Sequence, residues 1–333
     1  MKRIGVIGSG AWGSALAVML ARKGVAVTLW SYEREVAEAI ARTGTNPAFL
    51  PGISLSGIAS TSVLADAVDA DALLLVAPAQ FLRGVCRSLA PHLGAKTSLV
   101  ICAKGIEADT LMSMQEVVAC ELPDHPLAIL SGPTFAIEVA RGLPTAVTLA
   151  VADPVLGERL VRAIGSPSFR PYLTDDLVGA ELGGAVKNVL AIACGIVAGR
   201  RLGDNARAAL ITRGMAELTR LVVARGGRAA TCMGLSGLGD LMLTASSTQS
   251  RNYSLGVALG EGKKLEEILA SRRSVAEGVA SSVSVSGLAR KLGVDMPIAF
   301  AVEAMLFHAL DVEEAIKSLL SRPYAAEQGS NGS

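Results

Sequence analysis

Histidine is scarce in this chain of 333 residues: only His92, His125 and His308 occur, and none sits beside a motif. An imidazole acid or base is therefore not expected, and all three are assigned packing or surface roles. Cysteine is also thin, with Cys86, Cys102, Cys120, Cys194 and Cys232 odd in number, scattered and without C-x-x-C spacing. Such a set builds neither a disulfide framework nor a zinc site, so no metal is expected and the thiols read as small buried apolar groups in a reducing compartment. A charge excess is missing as well, because 31 Lys and Arg offset 30 Asp and Glu to leave a formal +1. With no net field to gather nucleic acid or an acidic membrane surface, the expected partner is a small-molecule substrate. Long apolar runs are lacking too: the longest in a plausible helix, Val189–Ala198, falls short of the roughly 18 to 20 residues that span a bilayer. Met1-Lys2-Arg3 runs straight into a strand pattern without a signal-peptide layout, which makes the cytoplasm the expected compartment.

What the chain does have is apolar mass and glycine. At 51% hydrophobic residues it can fill a large core, and its length suggests about two domains. Near the start, Gly8-Ser9-Gly10-Ala11-Trp12-Gly13 lies between an apolar run (Ile4, Val6, Ile7) and a segment of helical periodicity (Ala15, Leu16, Met19, Leu20). In that setting the first glycine permits a tight turn, the second lets backbone amides approach a pyrophosphate, and the third brings helix and strand together. Alone the pattern is weak among 35 glycines. Its context strengthens it, since Gly24 closes the helix and Val25–Trp30 reads as a second strand, completing a βαβ unit of about 30 residues. The second strand runs into Ser31-Tyr32-Glu33-Arg34. An acid there would hold an unphosphorylated ribose; Ser31 stands in its place and Arg34 is near enough to suit the 2′-phosphate of NADP. The alternative is that Glu33 and Arg34 only open a helix.

Strand and helix patterns alternate through the first half. A helix from about Glu33 precedes a Pro- and Gly-rich loop (Pro47, Pro51, Gly52), then come a buried strand Ala72–Val76 stopped by Pro78, a helix around Gln80–Pro91, and strands Ser98–Cys102 and Leu127–Leu130. Thr145–Ala152 and Phe169–Leu173 are further strands flanking a helix begun by Asp153-Pro154. Near-continuous apolar strands separated by helices predict a mostly parallel sheet covered on both faces. From Asp175 onward only helical periodicity remains, near Leu177–Arg200, Asn205–Arg225, Leu265–Leu269, Val275–Leu292 and Ile298–Ala309. The expected class is α/β: a Rossmann-type doubly wound sheet over 1–178, an all-helical domain over 179–322, and a disordered tail over 323–333.

Polar residues that interrupt the apolar patterns are the candidates for chemistry. Lys187 lies in Glu181–Leu190, a segment apolar on nearly every face and therefore buried all round. A lysine there needs a partner or a purpose, and desolvation moves its pKa toward the range useful for proton transfer. We read it as catalytic rather than salt-bridged, with Gly183 and Gly184 baring the helix face to a ligand. Lys104 follows a strand end, at the carboxyl edge where open α/β sheets bind ligands, although surface lysines are common there. Ser131-Gly132-Pro133-Thr134 follows another strand, with Pro133 suited to a first helical turn; an ordinary helix start would look the same. Gly237–Leu241, containing Asp240, precedes Thr244 and then Ser250-Arg251-Asn252, where a capped helix start with Arg and Asn suits a phosphate or is simply a surface helix.

Taken together, GSGAWG, KGIE at Lys104, SGPTFA from Ser131, ELGGAVKNV with Lys187, GLGDL with Asp240 and SRN ending at Asn252 resemble bacterial NAD(P)-dependent glycerol-3-phosphate dehydrogenases, in order, from residue 4 to about residue 320. The resemblance implies a Rossmann-type domain and a helical domain with a cleft between them, NAD or NADP as cofactor, and a homodimer. It implies reversible reduction of dihydroxyacetone phosphate to sn-glycerol 3-phosphate for glycerophospholipid synthesis. By that pattern Lys187 is the proton donor or acceptor, while Lys104, Gly132, Thr134, Asn188, Asp240, Thr244, Ser250, Arg251 and Asn252 surround the substrate. Gly8, Gly10, Ala11, Trp12, Gly13, Tyr32, Arg34, Lys104, Ala136, Arg251, Val275 and Glu277 border the cofactor. Two departures stand out: Ala11 replaces a serine often found in the glycine loop, and Tyr32 stands where members often carry His or Arg.

Overall fold

The computed structural model describes residues 1–94, 96–270 and 276–323. Val275 and all but the first residue of the expected tail lie outside the described residues. The first half builds ten strands: β1 (Arg3–Ile7), β2 (Ala26–Trp30), β3 (Thr45–Asn46), β4 (Leu50–Ser54), β5 (Ala59–Thr61), β6 (Ala72–Leu75), β7 (Ser98–Ile101), β8 (Leu127–Ser131), β9 (Thr145–Ala150) and β10 (Phe169–Thr174). Eight of them form one sheet in the order β10-β9-β8-β7-β6-β1-β2-β5. The central strands are apolar on both faces because helices cover both: every residue of β6 is fully buried, and two separate clusters pack on the two sides, one with Leu16, Leu20 and Val100, the other with Leu73, Leu82 and Leu99. Within this eight-stranded sheet every pairing is parallel except β8 with β9.

Several segments depart from the pattern reading. The Pro- and Gly-rich stretch after Gly44 is a small antiparallel pair, β3 with β4, whose inward residues Asn46, Leu50 and Ile53 are buried; two such short strands are too brief to show alternation. β5 and the helices Met114–Glu121, Ala136–Arg141 and Val312–Leu320 also escaped the reading, being short or polar on one face. Helix Ala136–Arg141 begins three residues after Pro133, so that proline sits in a loop and not in a first helical turn. The helix expected to reach Ala309 ends at Phe307, and Ala309 turns left-handed at φ 53°. Asp153 does cap Pro154–Ile164, accepting from the Val155 amide at 2.9 Å.

Beyond β10 the described residues are helical, gathered around helix Leu177–Gly199. Counting only its uninterrupted apolar run understated it: at 23 residues it is long and apolar enough to cross a membrane, yet 89% of its most apolar window is buried inside the protein. Neighbouring helices cover it on every side, so its composition reflects a core position. The cysteines follow the expectation at Cys86, Cys102, Cys194 and Cys232, which are buried; Cys120, on the outer face of helix Met114–Glu121, is exposed. Burial pushes the Cys86, Cys102 and Cys194 thiols up to about 12, which keeps them as thiols.

Candidate active site

Parallel strands put their carboxyl ends on one edge, and four of the singled-out segments leave from it: Gly8–Gly13 after β1, Ser31 and Tyr32 after β2, Lys104 after β7 and Gly132–Thr134 after β8. The three glycines divide their work as the spacing demands. Gly8 turns at φ 118° and its amide donates to the Trp30 carbonyl at 3.0 Å. A Cβ on Gly13 would lie 1.8 Å from the Gly8 carbonyl oxygen, so helix and strand touch through backbone there. A Cβ on Gly10 would meet nothing within 4 Å, which leaves that face open to a ligand. Helix Ala11–Arg22 starts at this point with no acidic residue in its first turn, and its unpaired amides suit an anion. Trp12 packs against the sheet core and Ala136 opens the neighbouring helix.

The residues that follow β2 differ sharply in exposure. Ser31 is fully buried with an unpartnered hydroxyl, whereas Tyr32 is 82% exposed and meets Trp30 edge-on. Arg34 opens helix Arg34–Thr43 and pairs with Glu38 one turn on at 2.7 Å, both exposed. Its guanidinium must leave that pair to meet a 2′-phosphate.

The lysines converge on one carboxylate. Asp240, with no exposed surface, accepts from Lys187 Nζ at 2.5 Å through Oδ1 and from Lys104 Nζ at 2.5 Å through Oδ2. Thr244 Oγ1 takes a further bond from Lys187 at 2.9 Å, and the Gly132 carbonyl accepts from Lys104 at 3.1 Å. Thr134 Oγ1 lies 3.4 Å from the same carbonyl. Lys187 is thus salt-bridged, the alternative set aside from sequence, and buried as well. Desolvation, with help from the Lys104 charge, lowers its pKa to about 8 against the pull of Asp240. A group so poised can give a proton near neutrality and take it back.

Gly183 and Gly184 do not bare their helix to a ligand. A Cβ on Gly183 would meet the Ser236 carbonyl at 2.4 Å and one on Gly184 would meet Ser131 Oγ at 3.1 Å and the Lys104 stem at 3.3 Å. The two glycines instead let protein in, the short helical turn Leu235–Gly239 before Asp240 on one side and Lys104 on the other, and so assemble the cluster.

A second glycine device aligns the remaining residues. Gly195 and Gly199 of the long helix face Gly256 and Gly260 of helix Arg251–Gly260 so closely that a Cβ at Gly195 would lie 2.1 Å from the Tyr253 carbonyl. Backbone contact over two turns fixes the start of that helix beside Lys187: Asn252 Nδ2 donates to Asn188 Oδ1 at 2.9 Å, and Asn252 Oδ1 accepts from the Gly278 amide at 3.0 Å. Ser250 caps this helix by accepting from the Tyr253 amide, and Arg251 is exposed at its first turn. Glu277 is pushed up by burial and pulled down by Arg251, Lys104 and Lys187, so its carboxyl shares their space. The Asn188 Nδ2 and Ser131 Oγ groups are buried without a protein partner beside the lysines. Those orphaned groups and the open Gly10 face fit a dinucleotide along the sheet edge with a polar substrate at Lys187.

One polar residue at this edge escaped the sequence reading. Asn46, fully buried, donates through Nδ2 to the Ser9 carbonyl at 2.8 Å and to Ser14 Oγ at 2.9 Å. The two groups that receive its Nδ2 are more than 30 positions away, and nothing local in the sequence marks it for them.

Comparison with known proteins agrees with this arrangement. The family model described as NAD-dependent glycerol-3-phosphate dehydrogenase N-terminus matches residues 3–156, and the one described as its C-terminus matches 176–317. A glycerol-3-phosphate dehydrogenase [NAD(P)+] of Parvibaculum lavamentivorans is 56% identical over 327 residues, covering 98% of each chain. Its counterpart from Caulobacter vibrioides is 57% identical over 98% of this chain and 99% of its own. The crystal structure of glycerol-3-phosphate dehydrogenase from Coxiella burnetii superimposes with a TM-score of 0.93 at 41% identity, covering 96% of this chain and 99% of that one. Two lysines converging on one buried aspartate, set against a dinucleotide loop and matched by both halves of the family, place this chain in the NAD-dependent glycerol-3-phosphate dehydrogenase family.

Proposed function

We propose that this protein reduces dihydroxyacetone phosphate reversibly to sn-glycerol 3-phosphate with NADH or NADPH, supplying the backbone for glycerophospholipid synthesis. The observation that carries the reading is the Lys187–Asp240–Lys104 cluster at the carboxyl edge of the sheet. Gly8, Gly10, Gly13 and the amides of Ala11 and Trp12 hold the pyrophosphate, while Tyr32, Arg34, Ala136, Arg251 and Glu277 border the rest of the dinucleotide. When bound, the nicotinamide supplies the hydride. Lys187 protonates the ketone oxygen as negative charge grows on it, an interaction strongest in the transition state. Asp240 and Thr244 hold that ammonium in place, and Lys104 adds positive charge on the other side. Asn188, Gly132 and Thr134 contact the substrate; Ser250, Arg251 and Asn252 hold its phosphate, and binding energy there aligns the ketone. Functional division at 1–178 and 179–322 is supported by the change from strands to helices after β10. A homodimer in the cytoplasm completes the reading, with light scattering on the purified protein as the check on assembly.

The test is oxidation of NADH and NADPH by the purified protein with dihydroxyacetone phosphate and with phosphate-free dihydroxyacetone. Strong preference for the phosphorylated ketone is expected, and Arg251→Leu should reduce that preference about 10-fold to 100-fold, as loss of a charged hydrogen bond does. Equal proportional losses on both ketones would show that Arg251 does not read the phosphate.

A further inference from the structure

The peptide between Ser9 and Gly10 is held from behind. Its carbonyl, on Ser9, accepts two hydrogen bonds from the protein interior: from Asn46 Nδ2 at 2.8 Å and from Ser14 Oγ at 3.0 Å. Ser14 Oγ is itself bonded by the same Asn46 Nδ2 at 2.9 Å, which closes a small triangle. Asn46, Ser14 and Ser9 are all buried. The orientation of the Asn46 amide is set independently, because its Oδ1 accepts from the Phe49 amide at 3.2 Å and only the NH2 end can then face a carbonyl. In a planar trans peptide the carbonyl and the following N–H point to opposite sides. A Ser9 carbonyl drawn inward therefore turns the Gly10 N–H outward, toward the face on which a Cβ of Gly10 would meet nothing within 4 Å. Gly10 also precedes helix Ala11–Arg22, so that N–H joins the first-turn amides of the same anion site.

We propose that Asn46 is a positioning residue for the cofactor: it holds the Ser9–Gly10 peptide in the rotation that aims the Gly10 N–H at the dinucleotide pyrophosphate. The role rests on the assignment of Gly8–Gly13 as the pyrophosphate loop. It also gives the β3–β4 pair a function, since β3 delivers Asn46 under a loop more than 30 residues earlier. Without the tether the peptide is free to flip, and a flipped Ser9 carbonyl would present an acceptor to the phosphate.

Asn46→Asp tests this at constant size, placing an acceptor opposite the Ser9 carbonyl while keeping the bond from Phe49. Calorimetric titration with NADH and with ADP-ribose should show about 10-fold to 100-fold weaker binding of both, the loss of one hydrogen bond to a charged group. At saturating cofactor, kcat and the KM for dihydroxyacetone phosphate should stay within about threefold of the parent. Ser14→Ala removes the second donor with almost no change of volume, so it keeps the test informative if the aspartate variant unfolds; a smaller loss confined to dinucleotide affinity is expected. Unchanged dinucleotide affinity in a folded Asn46→Asp or Ser14→Ala protein would overturn the proposal, as would parallel losses in both substrates' KM values. Gly10→Val separates the two layers: if it too leaves ADP-ribose affinity unchanged, the loop assignment itself fails, whereas lost affinity there with intact Asn46→Asp binding rejects only the role of Asn46.

Discussion

Replacing Asp240 by Asn removes the carboxylate that bridges Lys187 and Lys104, and the consequence for Lys187 can be worked out. Both ammonium groups lie 2.5 Å from its oxygens, with the carboxylate fully buried. Unit charges about 4 Å apart at an effective dielectric near 20 interact by about 4 kcal/mol, which corresponds to roughly three pKa units. Burial already brings Lys187 to about 8 with Asp240 present. With the aspartate gone, desolvation and the Lys104 charge are opposed by Glu277 but no longer by Asp240, and the apparent pKa should drop by two to three units, allowing for relaxation and entering water. With Lys187 as the acid, ketone reduction by the parent should fall as pH rises through about 8, because it draws on the protonated lysine, while alcohol oxidation, drawing on the neutral form, should rise over the same range. In Asp240→Asn the falling limb of reduction should move acidward by that amount. Reduction at pH 7 should then lose on the order of 10-fold to 100-fold and recover in part toward pH 5. The assay is the pH profile of NADH oxidation at saturating substrate, with melting temperatures at each pH to follow the cost of charging a buried Lys187 that has lost its carboxylate partner, about 3 to 5 kcal/mol. A limb that stays near pH 8 in a folded variant would refute the coupling of Asp240 to Lys187, and with it the assignment of Lys187 as the titrating acid.

Lys187→Ala should lower kcat by about 100-fold to 10,000-fold with dinucleotide affinity nearly unchanged; near-parental turnover would remove the lysine from the mechanism. Gly10→Val should abolish dinucleotide binding in calorimetry while the melting temperature holds, because its side chain enters open space on the cofactor side. Glu217, buried and accepting from the Ile298 and Ala299 amides, is raised by burial from its ordinary 4.5 to about 7. A folded pKa above the unfolded one contributes stability that is full below about 4.5 and lost as pH rises through about 7. Glu217→Gln should therefore gain on the parent by up to about 3 kcal/mol between pH 4.5 and 8; denaturant melts in which the gap between the two proteins does not change with pH would disprove the shift.

The sequence by itself determined the elements whose causes are local. The glycine loop was legible because each glycine answers a constraint set by its neighbours: a left-handed turn at Gly8, an open approach at Gly10, a helix–strand contact at Gly13. Strands such as Ala72–Leu75 were legible because burial on both faces leaves a continuous apolar run, and Lys187 because one charge in such a run has few explanations. Tertiary structure decided the rest. That Lys187 and Lys104 share Asp240 depends on groups 53 and 136 positions away along the chain. Gly183 and Gly184 looked like a face left open for ligand, yet they admit protein, because whether a missing side chain leaves space depends on which segment packs there. Asn46 had no signature at all: its value lies in a carbonyl 37 residues earlier, and short strands such as β3 and β4 carry too little periodicity to predict the pairing that delivers it. Local chemistry thus specified which residues could act, and long-range packing selected the partners that set their charge and aim.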